Sequence, residues 1–575
     1  MQKKVSALAT LFLIGLSTNA MSYDPPIGIP DPTWGSIHPI DTATPALPAD
    51  WSSEVAGFYF VAPSDANATD SNNTYGTPTT PRRSLPSNVQ PGSQIVLSGT
   101  FNNRLSMTGL NCTEQAPCWI RGVNEAQAPV MAASFELRGG SYVFIENLDF
   151  NGGSDGGIFL SGMNTHHISI RSNKVRNRAW VGNTAAISTR PDRGGAMHDI
   201  VIHGNELHDL GDYQSTVDQD FQGFNPTLWD RDSSTSQYDI WFVDNRCYRI
   251  SGDCAQVNSG PWQGSEQYLH HVYIGRNVAS QNRQGGVWIK QASDVIVSQN
   301  IAYDMNGGGS GNAGHGFGGQ YQKENIWFLF NEVYDSVYGF RQSDTSSAGD
   351  IYFIGNLVRD IRPAPGRTDY DPDNDWEQGA AFALWHGNSN RYIVDNTIHN
   401  VYDGITGIYN GRVDVYGNIV SQKDDHPDNH FFTLAHPARN DLVEMNSNIF
   451  IDQSSESYFT WWENAGIVGT LDEIRSVSAG RCSLCQSIIG SDSSDVFVNP
   501  TADINTRNFS LVTGSPAIGG NVRHPAYNTF QNRYGIDIYV DFKGTPRDAT
   551  DPSIGAFEYT GDDRAARPLP PSNLN

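Results

Sequence analysis

Long apolar runs are almost missing from this 575-residue sequence: after residue 20, no stretch reaches the 18 apolar residues that a membrane-spanning helix needs. Charge is scarce too, at 17% of residues, and basic charge is scarcest, with 37 Lys and Arg against 62 Asp and Glu. The net charge of −25 excludes sequence-independent nucleic-acid binding, which needs cations in excess to neutralise phosphates. A local basic groove remains open, and with it an anionic polymer as ligand. Little charge together with 57 Gly and many Asn excludes a long helical bundle or coiled coil. No phosphate-binding loop, dinucleotide fingerprint, nucleophile elbow or HExxH zinc motif occurs. Aromatic residues are plentiful: 13 Trp, 24 Tyr and 26 Phe bury enough apolar area to offset the entropy of ordering. A surface rich in Asn, Ser, Thr, Gly and rings suits polar, uncharged groups such as sugar hydroxyls.

Lys3 and Lys4 precede an apolar stretch at 5–16, and Thr18-Asn19-Ala20 places small residues at the −3 and −1 positions of a cleavage site. Residues 1–20 therefore read as a secretory leader, too short to span a bilayer. The mature protein is expected outside the cytoplasm, extracellular or periplasmic. The Cys residues fit an oxidising compartment. Cys112 with Cys118, Cys247 with Cys254 and Cys482 with Cys485 are neighbours in sequence, so three local disulfides are expected. The last pair is also a CxxC, which elsewhere serves redox or metal chemistry.

Short β-branched and aromatic runs recur, each ending near an Asn. Examples are YVFIEN (142–147), ISIRSN (168–173), IVIHGN (200–205), VYIGRN (272–277), VIVSQN (295–300) and VDVYGN (413–418). Successive terminal Asn residues lie 22 to 40 positions apart. Apolar residues alternate within each run, the period of a strand with one buried face. The shortest interval is too short for a four-stranded propeller blade, and the longer ones read as loop insertions. A stack of coils fits: one right-handed parallel β-helix of roughly eleven to thirteen coils. The recurring Asn is then scaffold, its amide bonding the Asn above and below.

At this point the chain resembles the pectate-lyase-like β-helix superfamily of secreted bacterial proteins. FYFVAPS (58–64) and PGSQIVLSGTF (91–101) are similar to its opening segment, and FSLVTGSPAIG (509–519) and DFKGTPRDATDPSIGAFEY (541–559) to its closing one. The resemblance implies the fold and leaves open polysaccharide lyase, glycoside hydrolase, epimerase or tailspike activity. The expected order is a leader at 1–20, an irregular Pro-rich arm at 21–56, the β-helix at 57–559 with a looser cap at about 420–540, and a disordered tail at 560–575.

Aligning the strands before each Asn-terminated run gives an outward column. It contains Arg190, a residue near Asp230 or Arg231, Asn258, Lys290, Gln320 or Gln322, Ser343 and Trp385. A neighbouring column contains Gln256, Trp288 and Arg341. Cations pair with carboxylates or sulfates, and amides bond hydroxyls. Lys290, in GVWIKQAS, is the candidate base for removing the proton alpha to a uronate carboxylate. Arg341, Arg283 and Arg190 are candidate carboxylate clamps. By residue type, Lys290 with Arg341 resembles the Lys base and Arg acid of the alginate lyase and chondroitinase B group. The spacing of 51 residues is about two coils, where that group uses adjacent coils.

A rival constellation is acidic. GDCAQVNSG (252–260) resembles the GDDC-type segment of polygalacturonases with one Asp missing, Asp230 precedes Asp253 by 23 residues, and His315 sits in a Gly-His-Gly. Asp230 and Asp253 would then serve as acid and base of an inverting hydrolase. Tyr321 and His386 are further outward candidates for sugar contact or proton transfer. The acidic loop DYDPDND (369–375) is a candidate calcium binder without the ligand spacing of an EF-hand. The reading is a secreted, monomeric enzyme that cleaves an acidic polysaccharide by β-elimination. Its alternatives are the hydrolase and a non-catalytic glycan-binding adhesin.

Overall fold

In the computed structural model, residues 22–561 are described, apart from 229–233, 261–267, 306, 308–313, 344–348, 364–377, 386–387, 408–410, 423–431, 435–442, 453–458, 464–465, 469, 474–481, 490–492, 502 and 504–505. The expected leader and nearly all of the tail lie outside the described residues. The strands form a 23-stranded and a 14-stranded sheet, both almost wholly parallel. The larger sheet bends at a corner, so each coil crosses three faces of a right-handed parallel β-helix. One coil shows the plan. Within the strand Gly285–Ser298, residues 285–290 lie on the first face and 292–298 on the second, and Ile301–Tyr303 lies on the third. Lys290 registers with Asn258 below and Gln320 above, Val295 with Val272 and Ile326, and Ile301 with Val278 and Glu332. No helix among the described residues is long and apolar enough to cross a membrane.

Inward positions repeat coil after coil. Ile202, Phe242, Ile274, Val297, Phe328, Phe353, Ile393 and Val415 occupy one register and are all buried. Phe328 and Phe353 stack with centroids 5.2 Å apart. Like side chains fill like spaces because adjacent coils are only about 4.8 Å apart.

Between the second and third faces the chain turns through one left-handed residue. This residue is Asn147, Ser172, Gly204, Asp244, Arg276, Gln299, Phe330, Gly355, Asp395, Gly417 or Ser447, at φ between +49° and +66°. The Asn that follows from Asn173 onward builds the expected ladder. Asn173, Asn205, Asn245, Asn277, Asn300, Asn331, Asn356, Asn396, Asn418 and Asn448 form a continuous file. Each Nδ2 donates to the Oδ1 of the next at 2.9–3.1 Å. The last amide, from Asn448, donates to Cys485 Sγ of the Cys482–Cys485 disulfide. Disulfides also join Cys112 to Cys118 and Cys247 to Cys254, as expected.

Two sequence readings are corrected. Asn147 is not a ladder residue: Glu146 registers with Arg171, which places Asn147 at the left-handed position. Leu148 takes the ladder place, and its N–H donates to Asn173 Oδ1 at 3.1 Å. The coil number is also higher than eleven to thirteen, because the third face has fourteen strands. Coils such as those of Thr100–Phe101 and Val130–Met131 have no ladder Asn and so leave no mark in the repeat.

The two ends of the chain cover the second face. The irregular arm runs from the coil of Ser298 back toward the first coils. Its carbonyls accept from Ser298 Oγ (Ile27), Trp241 Nε1 (Pro30), Arg171 (Ile40 and Thr42) and Arg121 (Pro45) at 2.6–2.9 Å. Ile29 and Trp34 are buried beneath it. From the other end comes the helix Pro525–Tyr534, capped by the His524 side chain at its start and left-handed Gly535 at its end. Its Phe530 packs on Trp327, Tyr527 donates to Asp395, and Arg533 pairs with Asp294. The two extensions meet at Gly28, at φ +82°, where a Cβ would lie 3.0–3.2 Å from Leu329, Phe530 and Ile538. Residues on either side of that helix lie along the third face, with Phe497, Phe509 and Ile554 against Leu357, Ile419 and Ile449. Among the described residues, the first face carries neither extension.

Asn300 Nδ2 donates to Ile274 O, Ser298 O and Asn331 Oδ1, and its Oδ1 accepts from Asn277. Asn300→Ala strands these buried partners, so chemical denaturation should show a loss of about 3 kcal/mol. Asn147→Gly, at a left-handed position off the ladder, should stay within about 0.5 kcal/mol of the parent.

Candidate active site on the first face

The register turns the expected columns into geometry. One outward column runs Arg138, Ser161, Arg190, Thr227, Asn258, Lys290, Gln320, Ser343 and then the strand position of Trp385. Gln320, and not Gln322, is the member between Lys290 and Ser343. The side chain of Trp385 and all of Asp230, Arg231, His386 and the 369–375 loop lie outside the described residues. Thr227 fills the place expected for Asp230 or Arg231. The second column runs Gln256, Trp288, Gly318, Arg341, Ala383 and Thr406.

Asp253, Gly285 and His315 are in register on three successive coils. Gly285 has no side chain, so His315 Nε2 reaches across it to Asp253 Oδ1 at 3.1 Å. A Cβ on Gly285 would lie 2.4 Å from that imidazole ring. Gln256 Nε2 donates to Asp253 Oδ2 at 3.1 Å, and the Trp288 ring packs 4.3 Å from His315. Asp253 and His315 are each 1% exposed, so neither faces a polymer in the groove. A second glycine, Gly318, gives the Trp288 ring its place. A Cβ there would lie 2.7 Å from Trp288 Cζ3. Trp288 is itself buried, so it supports the site from below.

Lys290 is half-buried and projects from the outward column between the amides of Asn258 and Gln320. Arg341 stands two coils further on, about 10 Å along the axis, with its guanidinium 5.0 Å over the Tyr338 ring. Arg190 is exposed, three coils below Lys290, with its guanidinium 5.2 Å over Phe159. Arg341 is buried, against the expectation of an outward clamp, so Lys290 and Arg190 are the cations that line the groove, three coils apart and not gathered around one sugar. Arg283 is of a different kind. It is fully buried and donates to Ser251 O, Gln219 O and Asp218 Oδ1 at 2.7–2.9 Å, so it holds a loop. Tyr321 is exposed at left-handed φ +66°, and its carbonyl accepts from Lys323.

The structure adds a residue that the sequence reading missed, Asp220. It immediately precedes the strand Phe221–Pro226 and accepts a hydrogen bond from Gln284 Nε2. Burial, with Asp218 and Asp253 nearby, pushes its carboxyl above the usual carboxylate range; Gln284 and Lys290 oppose the rise. The expected column looks for its member on this coil near Asp230 or Arg231, whereas the strand ends at Pro226, so Asp220 falls outside that expectation. The acid in DQDFQG, directly before an alternating run, was the available signal. Asp218, Asp220 and Asp253 do not converge as a calcium cage would. Among the described residues, only a group on another face brings three such ligands within 4.8 Å.

Gly285→Ala should drive the His315 ring off Asp253 and lower the thermal midpoint by several degrees. The double substitution Gly285→Ala/His315→Ala removes the colliding ring and should recover part of that loss in the same melting experiment.

No family model matches the sequence, and no curated protein does. Solved structures do. A GH136 lacto-N-biosidase from Eubacterium ramulus is similar at 14% identity and a TM-score of 0.40, over 64% of this chain and 65% of that one. Pectate lyase Pel9A is similar at 13% identity and a TM-score of 0.38, over 88% of this chain and 96% of that one. The PL6 family alginate lyase AlyGC is similar at 12% identity and a TM-score of 0.39; the match spans 67% of this chain and about half, 53%, of that enzyme. The fold assignment rests on the chain's own sheets: it is a right-handed parallel β-helix.

Proposed function

We propose that this protein is an exported enzyme that cleaves an acidic, uronate-containing polysaccharide by β-elimination, with Lys290 as the base. The observation that carries the reading is the contrast between Lys290 and the rival acids. Lys290 stands outward on the first face, flanked by amides, whereas Asp253 and His315 are sealed beneath Trp288. The polymer would lie along the outward column, perpendicular to the strands. Asn258 and Gln320 would bond the unit over Lys290. Arg190 would hold the carboxylate of a unit further along, and buried Arg341 would lend positive charge from beneath the groove.

In the reaction, Lys290 as free amine takes the proton alpha to the carboxylate. The freed electron pair forms the double bond between C4 and C5, and the bond from C4 to the glycosidic oxygen breaks. Asp220, whose carboxyl is pushed toward its protonated form and feels the charge of Lys290, would return a proton to the departing oxygen. The Asp253–His315 pair acts as a support that sets the floor of the site. Three disulfides and the expected leader fit an oxidising compartment.

One observation favours a second reading, hydrolysis. Asp220 and Asp253 influence each other electrostatically, and Asp220 has the raised carboxyl that a general acid needs. Product chemistry separates the two. Over alginate, pectate and chondroitin, elimination leaves an unsaturated end group that absorbs in the near ultraviolet, and hydrolysis leaves none. Lys290→Ala should lower the rate of that absorbance by about 10²–10⁴-fold with an unchanged melting profile. Saturated products, with Asp220→Asn dead and Lys290→Ala active, would establish hydrolysis instead. Retention of polymer without any cleavage would make the protein an adhesin.

A further inference from the structure

The corner between the first and second faces carries two files of side chains unrelated to the groove chemistry. His166, His198, Tyr238 and His270 share one register, and their rings stack with centroids 4.9–5.3 Å apart. Beside them runs a left-handed file, Tyr142, His167, Asp199, Asp239, His271 and Asp294, at φ 52–55°. Asp, Asn and His are favoured at left-handed positions, so the second file alone needs no ligand to explain it. Convergence between the two files is what that preference leaves unexplained.

His198 Nδ1 lies 2.7 Å from Asp199 Oδ2, and His167 Nδ1 lies 3.7 Å from the same oxygen. His166 Nδ1 lies 2.7 Å from His167 Nδ1. His167, His198 and Asp199 offer ligand atoms that all lie within 4.8 Å of one another. They come from two adjacent coils and are half-buried. Tetrahedral coordination at 2.0–2.1 Å sets donor atoms about 3.3 Å apart, which the two distances to Asp199 bracket. Two imidazoles and a carboxylate are the donor chemistry of zinc-class ions, and a third imidazole, His166, is at hand.

We propose that His167, His198 and Asp199 form a binding site for one divalent transition-metal ion, with His166 or water as the fourth ligand. The site lies three to four coils below Lys290 and takes no part in the reaction. Its neighbour is the N-terminal arm. The Trp34 ring lies 5.4 Å from the His167 ring, and Ser36 is bonded to Glu114 through both its N–H and its Oγ. A bound ion would tie two coils together at the point where the arm crosses the corner.

The test uses the untagged mature chain, stripped with a chelator and titrated with Zn²⁺ by calorimetry and with Co²⁺ by visible absorption. One ion per chain is expected, with the intense absorption of tetrahedral cobalt and a raised melting midpoint. Asp199→Asn keeps a residue that tolerates the left-handed turn and should weaken binding by about tenfold or more; His198→Ala should do the same. His271→Ala, at the similar His270–His271 pair two coils higher, should bind as the parent does. No saturable binding to the parent, or unchanged binding in both ligand variants, overturns the proposal.

Discussion

The primary amide of asparagine is the group on which this architecture depends. A β-helix must turn sharply in every coil, and each turn exposes backbone N–H and C=O groups that no strand partner reaches. An Asn side chain carries both a donor and an acceptor of the same kind. Placed once per coil, it bonds a carbonyl of its own coil, a carbonyl of the coil before and the amide of the coil after, as Asn245 does with Val243, Ile202 and Asn277. No other side chain both donates twice and accepts twice in that space. A charged residue would repel its own copies at the coil spacing, and an apolar one would leave the turn unsatisfied. The file ends where its partners end: at Leu148 on one side and on a disulfide sulfur on the other.

With the turns satisfied internally, the three faces are free to differ. The second face is aromatic on its outside, with Trp119, Phe144, Trp241, Tyr273 and Trp327, and would be sticky if left bare. Both chain ends are spent on covering it. The first face instead has glycines at the points where the chemistry-bearing side chains need room. Gly285 lets an acid and an imidazole two coils apart meet, and Gly318 receives an indole. In a scaffold of near-identical coils, a missing side chain is the simplest way to make one place different from the rest.

Sequence patterning exposed the periodic part of this molecule and hid the aperiodic part. The file from Asn173 to Asn448, the alternation of inward residues and the three local disulfides all repeat or lie close in sequence, so they could be read directly. The outward column from Arg190 through Lys290 to Ser343 also emerged, because register follows once two adjacent strands are aligned. Errors arose where a landmark was missing or doubled. Asn147 mimics a ladder residue one position early, and the insertion after Pro226 blurred the strand that begins at Phe221. That slip put Asp230 where Thr227 stands and left Asp220 unread. The buried role of Arg283 and the Asp253–His315 contact depend on loops and on a two-coil reach, which no local pattern encodes.

The docking of the arm has a consequence for how the chain comes together in time. Ile27 is held by Ser298 and Gln299, partners about 270 residues later in the sequence, and Gly28 also touches Phe530 and Ile538. The segment around Ile27 therefore precedes the coils in sequence yet is among the last to find its seat. The later part of the arm can seat on early coils through Arg121 and Arg171, but its start at Ile27 has no surface to bind until the coil of Ser298 exists. The growing β-helix must meanwhile keep its aromatic flank from other molecules. The clasp at Gly28 closes only once the residues around Phe530 and Ile538 have folded, so that flank stays bare until then.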